Sequence, residues 1–335
     1  MTEQTGTIPV YLLSGFLGSG KTTLLKRWLE TAEQAGLRPA VIMNELGEVN
    51  LDGIQIGEEV RMAEMLGGCI CCTVRGDLGL EMMKLVDESR PDLLLIESTG
   101  AANPLEIIDA VGDASMLKQV ELKQVVTVVD AVHLHGQAEK GKGQTYRLMK
   151  EQIRCATVLL LNKVDNMSEA QADELETLLR EWNSFAPIYR TVEAQIDIDM
   201  LEHGGQGQPI GQAERHQAEE ACGCGRKDPH THEEHAHHSH AHVMAYTRYF
   251  DEAIDSERFE AMMGRLPDDI YRAKGILSFT DTSSRFMFQY AYKQLDLMKI
   301  NPQGEVPDVA VFIGEHFDKA WLEDELKKLT EPPYS

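Results

Sequence analysis

Three features of this 335-residue chain predict an α/β fold with a mostly parallel sheet, then a linker and a smaller C-terminal α+β domain. Short apolar runs alternate with helix-length amphipathic stretches through the first half, the rhythm of strands wrapped by crossover helices. A glycine-rich turn separates the first apolar run from the first helical pattern. Composition then shifts over residues 203–242 to Gly, Gln, Glu and His, with almost no large apolar side chains. Such a stretch buries too little surface to offset its ordering entropy and reads as a linker. The expected division is residues 1–200, a Cys/His-rich linker over 201–242, and a C-terminal unit over 243–330.

The elements follow in order. Ile8–Ser14 reads as a strand, and Lys21–Ala35 as a helix with Leu24, Leu25, Trp28 and Leu29 on one face and Gly36 as its stop. Pro39–Asn44, Leu93–Ser98, Val125–Asp130 and Thr157–Asn162 are further strands, and Pro187–Arg190 is a last short one. Near-continuous apolar runs suit strands covered on both faces. Polar residues at their C-terminal ends stand where open α/β sheets bind ligands. Beyond the linker, Ser256–Met263 and Trp321–Leu329 read as helices, and Gly275–Thr280, Phe286–Tyr292 and Asp308–Gly314 as strands.

Composition narrows the function. Acidic residues outnumber basic ones 55 to 32, for a formal charge of −23. That field repels phosphate backbones and anionic lipid, which argues against nucleic acid or a membrane as partner, while cations stay compatible. The chain has no run of 18 apolar residues and no signal-peptide pattern at Met1–Pro9, so a cytoplasmic protein is expected. Six cysteines in a chain of this length make no disulfide scaffold.

Gly15-Phe16-Leu17-Gly18-Ser19-Gly20-Lys21-Thr22 fits the nucleotide phosphate loop, between a strand and a helix as that loop requires. The first domain is therefore expected to be a P-loop NTPase. Gly15, Gly18 and Gly20 let successive N–H groups turn inward around phosphates, and the helix N-terminus adds positive potential. Lys21 is expected at the β- and γ-phosphates and Thr22 at Mg²⁺, with Ser19 and Thr23 completing the nucleotide-binding set. Asn162-Lys163-Val164-Asp165, after a strand, selects guanine: an ionised Asp165 accepts from N1–H and the 2-amino group, which adenine lacks. The Lys163 stem lies along the base, and Arg190–Val192 is a candidate cover for guanine O6. The expected nucleotide is GTP. Glu97, ending a buried strand, stands where an acid holds Mg²⁺, and the Gly100 N–H is placed to sense the γ-phosphate. With no evident arginine finger or water-positioning glutamine, slow intrinsic hydrolysis is expected.

Between these elements lies Gly67-Gly68-Cys69-Ile70-Cys71-Cys72, three thiols within four residues on a glycine hinge. Thiolates in such a turn converge on Zn²⁺, Cu⁺ or a related ion. Asn44-Glu45-Leu46-Gly47-Glu48 offers carboxylates for the remaining coordination. The tract His230, His232, His235, His237, His238, His240 and His242 gathers seven of the twelve histidines, with Cys222 and Cys224 upstream. Its density suits metal capture rather than catalysis, and a solvated low-complexity linker is the competing reading. Cys155 reads as a core cysteine, and His133 and His135 as surface polar groups.

The ordered set Ser-Gly-Phe-Leu-Gly-Ser-Gly-Lys-Thr-Thr, Asn-Glu-Leu-Gly-Glu, Gly-Gly-Cys-Ile-Cys-Cys, Glu-Ser-Thr-Gly and Asn-Lys-x-Asp resembles the CobW-like family of metal-handling GTPases. The resemblance runs from Ile8 to about Asp165 and continues more loosely at Tyr271-Arg272-Ala273-Lys274-Gly275; family members often carry Phe where this chain has Leu46. It implies a GTPase that couples nucleotide state to a transition metal on Cys69, Cys71 and Cys72, with Glu45 and Glu48 in the first switch. Lys21, Glu48 and Glu97 are the catalytic candidates. The leading expectation is a Zn²⁺ metallochaperone acting on a client metalloprotein. Co²⁺ as cargo for cobalamin synthesis or metalloenzyme activation, and a metal buffer with structural GTP, are the alternatives. Related GTPases pair across the nucleotide face, which leaves a homo-oligomer open.

Overall fold

The computed structural model describes residues 6–43, 61–64, 74–140, 143–203, 243–291, 293–302 and 304–330. They form β1 (Ile8–Ser14), α1 (Lys21–Gln34), β2 (Pro39–Met43), β3 (Arg61–Glu64), α2 (Val74–Ser89), β4 (Leu93–Glu97) and α3 (Pro104–Ser115). Next come β5 (Val120–Asp130), α4 (Ala131–Lys140), α5 (Gln144–Arg154), β6 (Val158–Asn162), α6 (Glu169–Trp182), β7 (Ile188–Thr191) and α7 (Ile198–His203). A second series comprises β8 (Val243–Phe250), α8 (Ser256–Met263), β9 (Ile270–Ser278), β10 (Arg285–Ala291), β11 (Gln294–Ile300), β12 (Asp308–Glu315) and α9 (Lys319–Lys328).

The first series builds one sheet in the order β3-β2-β4-β1-β5-β6-β7, parallel at every pairing. Parallel strands need crossovers, and the crossover helices cover both faces. Accordingly β2, β4 and β6 are buried at every residue. The two-residue period of β1 sorts its side chains between two cores. Tyr11 and Leu13 pack with Leu24, Leu25 and Trp28 of α1, the Tyr11 and Trp28 rings 4.8 Å apart. Val10 and Leu12 pack with Met82 of α2 and with Ile107 and Val111 of α3.

Register brings the polar strand ends together. Leu13 pairs with Glu97, Ser14 with Thr127, Asp130 with Asn162, and Asn162 with Thr191. Met43 stands opposite both Glu97 and Glu64. One rim of the sheet thus carries Glu64, Met43, Glu97, Ser14, Asp130, Asn162 and Thr191. The chain enters the stretches after β2 and β3 from that same rim.

The second series forms an antiparallel sheet, β11-β10-β9-β12-β8. One face carries α8 and α9 over Phe259, Phe288, Phe312, Leu322 and Leu326. The other belongs to the first domain's core. Along β12, Ala310 and Phe312 join the α8/α9 side, while Val309, Val311 and Ile313 join the cluster that holds Ile107 and Val111 of α3. Polar contacts close the seam. Lys274, 6% exposed in its side chain, donates to the Asp109 carbonyl at 2.8 Å and to the Asp113 carboxylate, and Arg272 pairs with Asp109. The Lys274 stem crosses α3 at Gly112, where an added Cβ would stand 3.0 Å from Lys274 Cε. The Tyr249 hydroxyl accepts from the Val120 N–H at 3.0 Å and lies 2.8–3.1 Å from the Ser115, Lys118 and Val120 carbonyls. Burial holds that phenol well above its ordinary pKa, so it stays protonated.

Five strands differ from the sequence expectation or add to it, β3 and β8 among them as strands not foreseen. The strand expected from Gly275 begins at Ile270, and its added residues Arg272 and Lys274, placed in the sequence only as part of a family motif, serve the domain seam. The strand expected from Val125 begins at Val120, and β11 pairs with β10 as an edge whose residues are mostly exposed.

Candidate functional site

The phosphate loop springs from the C-terminal end of β1. Gly15 and Gly20 adopt φ of 134° and 113°, where L side chains are strained. Space forbids a side chain as well. A Cβ at Gly15 would stand 2.2 Å from the Val128 carbonyl, and one at Gly20 would stand 2.6 Å from Asn162 Nδ2. Gly20 caps α1 without a side-chain hydrogen bond, and no acidic residue occupies the first turn. The orphan N–H groups and the helix dipole therefore face the loop, an arrangement suited to an anion. Lys21 is buried and folds back over the loop, its ammonium donating to the Gly15 carbonyl at 2.9 Å and the Phe16 carbonyl at 3.2 Å. Thr23 is exposed on the first turn of α1, and Ser19 is buried.

On the β4 side, Thr22 Oγ1 donates to Glu97 Oε1 at 2.7 Å. Glu97 Oε2 is buried and has no hydrogen-bond partner among the described residues. Burial raises the carboxyl's pKa, and the Thr22 hydrogen bond and the Lys21 charge oppose that rise. A hydroxyl beside an unsatisfied carboxylate oxygen is a hard donor set that fits Mg²⁺. Gly100 lies against the phosphate loop, where an added Cβ would meet Leu17 N at 2.4 Å.

At the other end, Asn162 braces two loops. Its Nδ2 donates to the Ser19 carbonyl at 2.8 Å, and its Oδ1 accepts from the Ala194 N–H at 2.8 Å and the Thr191 hydroxyl at 3.1 Å. Lys163, at φ 65°, donates to the Gly18 carbonyl at 2.7 Å and to Asp130 at 2.6 Å. This lays its stem over the groove between the phosphate loop and the next turn. Asp165 is exposed on the short turn Val164–Asn166 and accepts from Asn166 at 3.1 Å. The loop beside them keeps one expected member, Thr191, loses Arg190 and adds two residues further on. Arg190 is tied to Asp173 and Glu176 of α6, whereas Thr191 and the left-handed pair Glu193 and Ala194 line the Asn162 side.

The structure thus gathers Gly15, Gly18, Ser19, Gly20, Lys21, Thr22, Glu97, Gly100, Asn162, Lys163 and Asp165 along one rim. Glu45, Glu48, Cys69, Cys71, Cys72, Cys222, Cys224 and the histidines from His230 to His242 lie outside the described residues. Among the described residues no group of three or more His, Cys, Asp and Glu is placed to hold a metal ion. Cys155 is buried and its thiol is pushed up to about 12 by desolvation, as a core cysteine should be. His133 is half-buried and stacks on Phe16 with ring centroids 5.1 Å apart, a less solvated place than expected. Sequence reasoning missed Ala194 and Gln152. Ala194 acts through its backbone, and a glutamine within a helix looks like any solvated position.

A family model described as the CobW/HypB/UreG nucleotide-binding domain matches residues 9–190. The chain belongs to the CobW/HypB/UreG family. A second model, the cobalamin synthesis protein CobW C-terminal domain, matches residues 243–330. Among curated relatives, the chain is 31% identical to "Zinc chaperone CobW" of Pseudomonas aeruginosa over 96% of this chain and 85% of that one. It is 37% identical to "Zinc chaperone YjiA" of Escherichia coli over 58% of this chain and 60% of that one. It is 35% identical to "Zinc-regulated GTPase metalloprotein activator 1" of Dictyostelium discoideum over 59% of this chain and 48% of that one. The chain thus spans about half the length of that last relative. No described helix is long and apolar enough to cross a membrane.

Proposed function

We propose that this protein is a GTP-hydrolysing metallochaperone that binds Zn²⁺ at Cys69, Cys71 and Cys72 and releases it to a client metalloprotein under nucleotide control. The observation that carries the reading is the shared rim. The phosphate loop, the Thr22–Glu97 pair and the Asn162 brace lie in one row, and β2 and β3 end in register with Glu97 just before Glu45, Glu48 and the three cysteines. Names of relatives that include zinc chaperones support the choice of metal.

In this reading the loop N–H groups and Lys21 bind the phosphates, and Thr22 and Glu97 hold Mg²⁺. Held by those two residues, Mg²⁺ would supply charge neutralisation to the bound phosphates. The Gly100 N–H contacts the γ-phosphate. Asp165 reads the two guanine donors, Lys163 lies over the base, and Asn162 keeps the base loop and the phosphate loop at a fixed separation. Glu45 or Glu48 completes the zinc site, and the histidine tract of the 201–242 linker collects metal. The 243–330 unit recognises the client. A reducing cytoplasm keeps the thiols available. Metal and nucleotide affinities are then linked, each changing the other by the same factor.

The test is a chelator-competition titration of Zn²⁺ and Co²⁺ against protein lacking residues 230–242, with GDP and with a nonhydrolysable GTP analogue plus Mg²⁺. Zn²⁺ affinity should differ between the two states by tenfold or more, about 1.4 kcal/mol, and Cys71→Ser should abolish the difference. Equal affinities in both states would refute nucleotide-gated delivery. A difference confined to Co²⁺ would refute zinc as the cargo.

A further inference from the structure

The segment between β4 and α3 is held from below by a buried side chain outside the phosphate loop. Gln152, on α5, is 1% exposed. Its Nε2 donates to the Gly100 carbonyl at 3.0 Å and to the Ala102 carbonyl at 3.4 Å. Its own backbone carbonyl accepts from Thr127 Oγ1 of β5 at 2.9 Å, which ties this turn of α5 to the strand beside Ser14. The residues so held belong to neither sheet nor helix; they form a turn, closed by the Ala102 N–H on the Thr99 carbonyl at 3.2 Å. Asn103 then caps α3 by accepting from the Leu105 N–H at 3.0 Å.

A buried amide with both donors directed at loop carbonyls is costly to misplace, because water cannot replace the partners. The consequence for Gly100 is geometric. Its carbonyl belongs to the Gly100–Ala101 peptide, so fixing that plane leaves the Gly100 N–H only the two rotations, ψ and φ, of Gly100 itself. The opposite side is closed by the Leu17 backbone, which leaves no room for a Cβ. The Gly100 amide is therefore clamped between Leu17 above and Gln152 below.

We propose that Gln152 is a positioning residue that aims the Gly100 N–H at the γ-phosphate, so that the preference for GTP over GDP depends on it. This rests on the reading of Gly100 as the γ-phosphate contact given above. Removing the two donors should leave the phosphate loop and the base pocket intact, since Gln152 touches neither, and should act only where the third phosphate matters.

The experiment measures Kd for GDP and for guanosine 5′-(β,γ-imido)triphosphate with Mg²⁺, together with kcat and KM for GTP, in the full chain. The variants are Gln152→Met, Thr127→Val and Gly100→Ala. Gln152→Met should lower the preference for the triphosphate analogue by roughly tenfold and kcat by a similar factor, as expected for two lost buried hydrogen bonds, with the GDP Kd within about twofold of wild type. Thr127→Val, which spares the Gly100 link, should keep the wild-type preference. If Gln152→Met is too unstable to assay, Gln152→Glu, close in shape but lacking the amide donors, is read in the same titrations. An equal weakening of GDP and analogue would overturn the proposal and leave Gln152 a packing residue. If Gly100→Ala loses the preference while the Gln152 variants keep it, the positioning role alone is refuted. If Gly100→Ala keeps the preference, the γ-phosphate reading of Gly100 fails and this inference fails with it.

Discussion

Replacing Asn162 by alanine tests whether the nucleotide pocket is held open by one buried side chain. Asn162 is 2% exposed and makes three hydrogen bonds, to the Ser19 carbonyl, the Ala194 N–H and the Thr191 hydroxyl. Each contributes a net 0.5–1.5 kcal/mol or about that, and a partner left buried without a substitute costs roughly 1–3 kcal/mol. Thr191 can rotate its hydroxyl, so the unavoidable losses are at Ser19 and Ala194. Together they amount to about 3–4 kcal/mol, shared between fold stability and the pocket. If half falls on the pocket, nucleotide affinity drops by roughly 12- to 27-fold. Neither braced residue is read as touching the γ-phosphate, so GDP and the GTP analogue should weaken alike. Titration with a fluorescent GDP, with the analogue as competitor, measures both. A loss under about threefold for both nucleotides, or a loss confined to one, would refute the account of Asn162 as a brace.

Glu97→Gln should raise the Mg²⁺ concentration for half-maximal GTP hydrolysis by about tenfold or more, because the unsatisfied oxygen becomes an amide nitrogen. Nucleotide affinity with chelator present should hold or improve, and an unchanged Mg²⁺ dependence would contradict the assignment. Lys274→Met keeps the stem over Gly112 and removes the ammonium. With Asp113 35% exposed and able to rehydrate, the expected loss is about 1.5–3 kcal/mol in denaturant unfolding. A double-mutant cycle with Asp113→Asn should show coupling, and strictly additive effects would rule the contact out. His316 is held below its ordinary pKa by burial, partly offset by Glu315 and Asp269. Between that lowered value and about 6.5, the unfolded chain binds more protons than the folded one, so this residue's effect is to lower stability as pH falls through the window. His316→Asn tolerates the φ of 52° and should flatten the acid side of the melting-temperature profile, whereas parallel profiles would exclude the effect.

Legibility followed burial pattern. Strands covered on both faces, such as Leu93–Glu97 and Val158–Asn162, appear in the sequence as unbroken apolar runs, and the loops at their ends carry the motifs. The same rule hid β11, an edge strand with no face buried enough to pattern it. It also misplaced the start of β9. There, Arg272 and Lys274 find their partners in Asp109 and Asp113, more than 150 positions away, which no local pattern contains. Gly275 was legible only as part of a motif. The structure gives its reason: a Cβ would stand 2.0 Å from the Val309 carbonyl and 2.5 Å from Phe288. In the candidate site, the residues of the phosphate loop and of Asn162-Lys163-Val164-Asp165 were readable as local motifs. Those that act by holding backbone, Asn162 toward Ala194 and Gln152 toward Gly100, depend on pairings no local pattern contains.

The seam along α3 also determines what a cut chain would do. Val309, Val311 and Ile313 are packed into the first domain's core, and Tyr249 and Lys274 are bonded to α3 and to the residues just beyond it. None of these contacts passes through the peptide between His203 and Val243. A protease that nicked that peptide would yield two bands on a denaturing gel but one particle on a sizing column, the halves held as subunits are held. For this protein, then, the covalent connection between the domains runs through the histidine tract, while the described residues supply a second connection of their own across the seam.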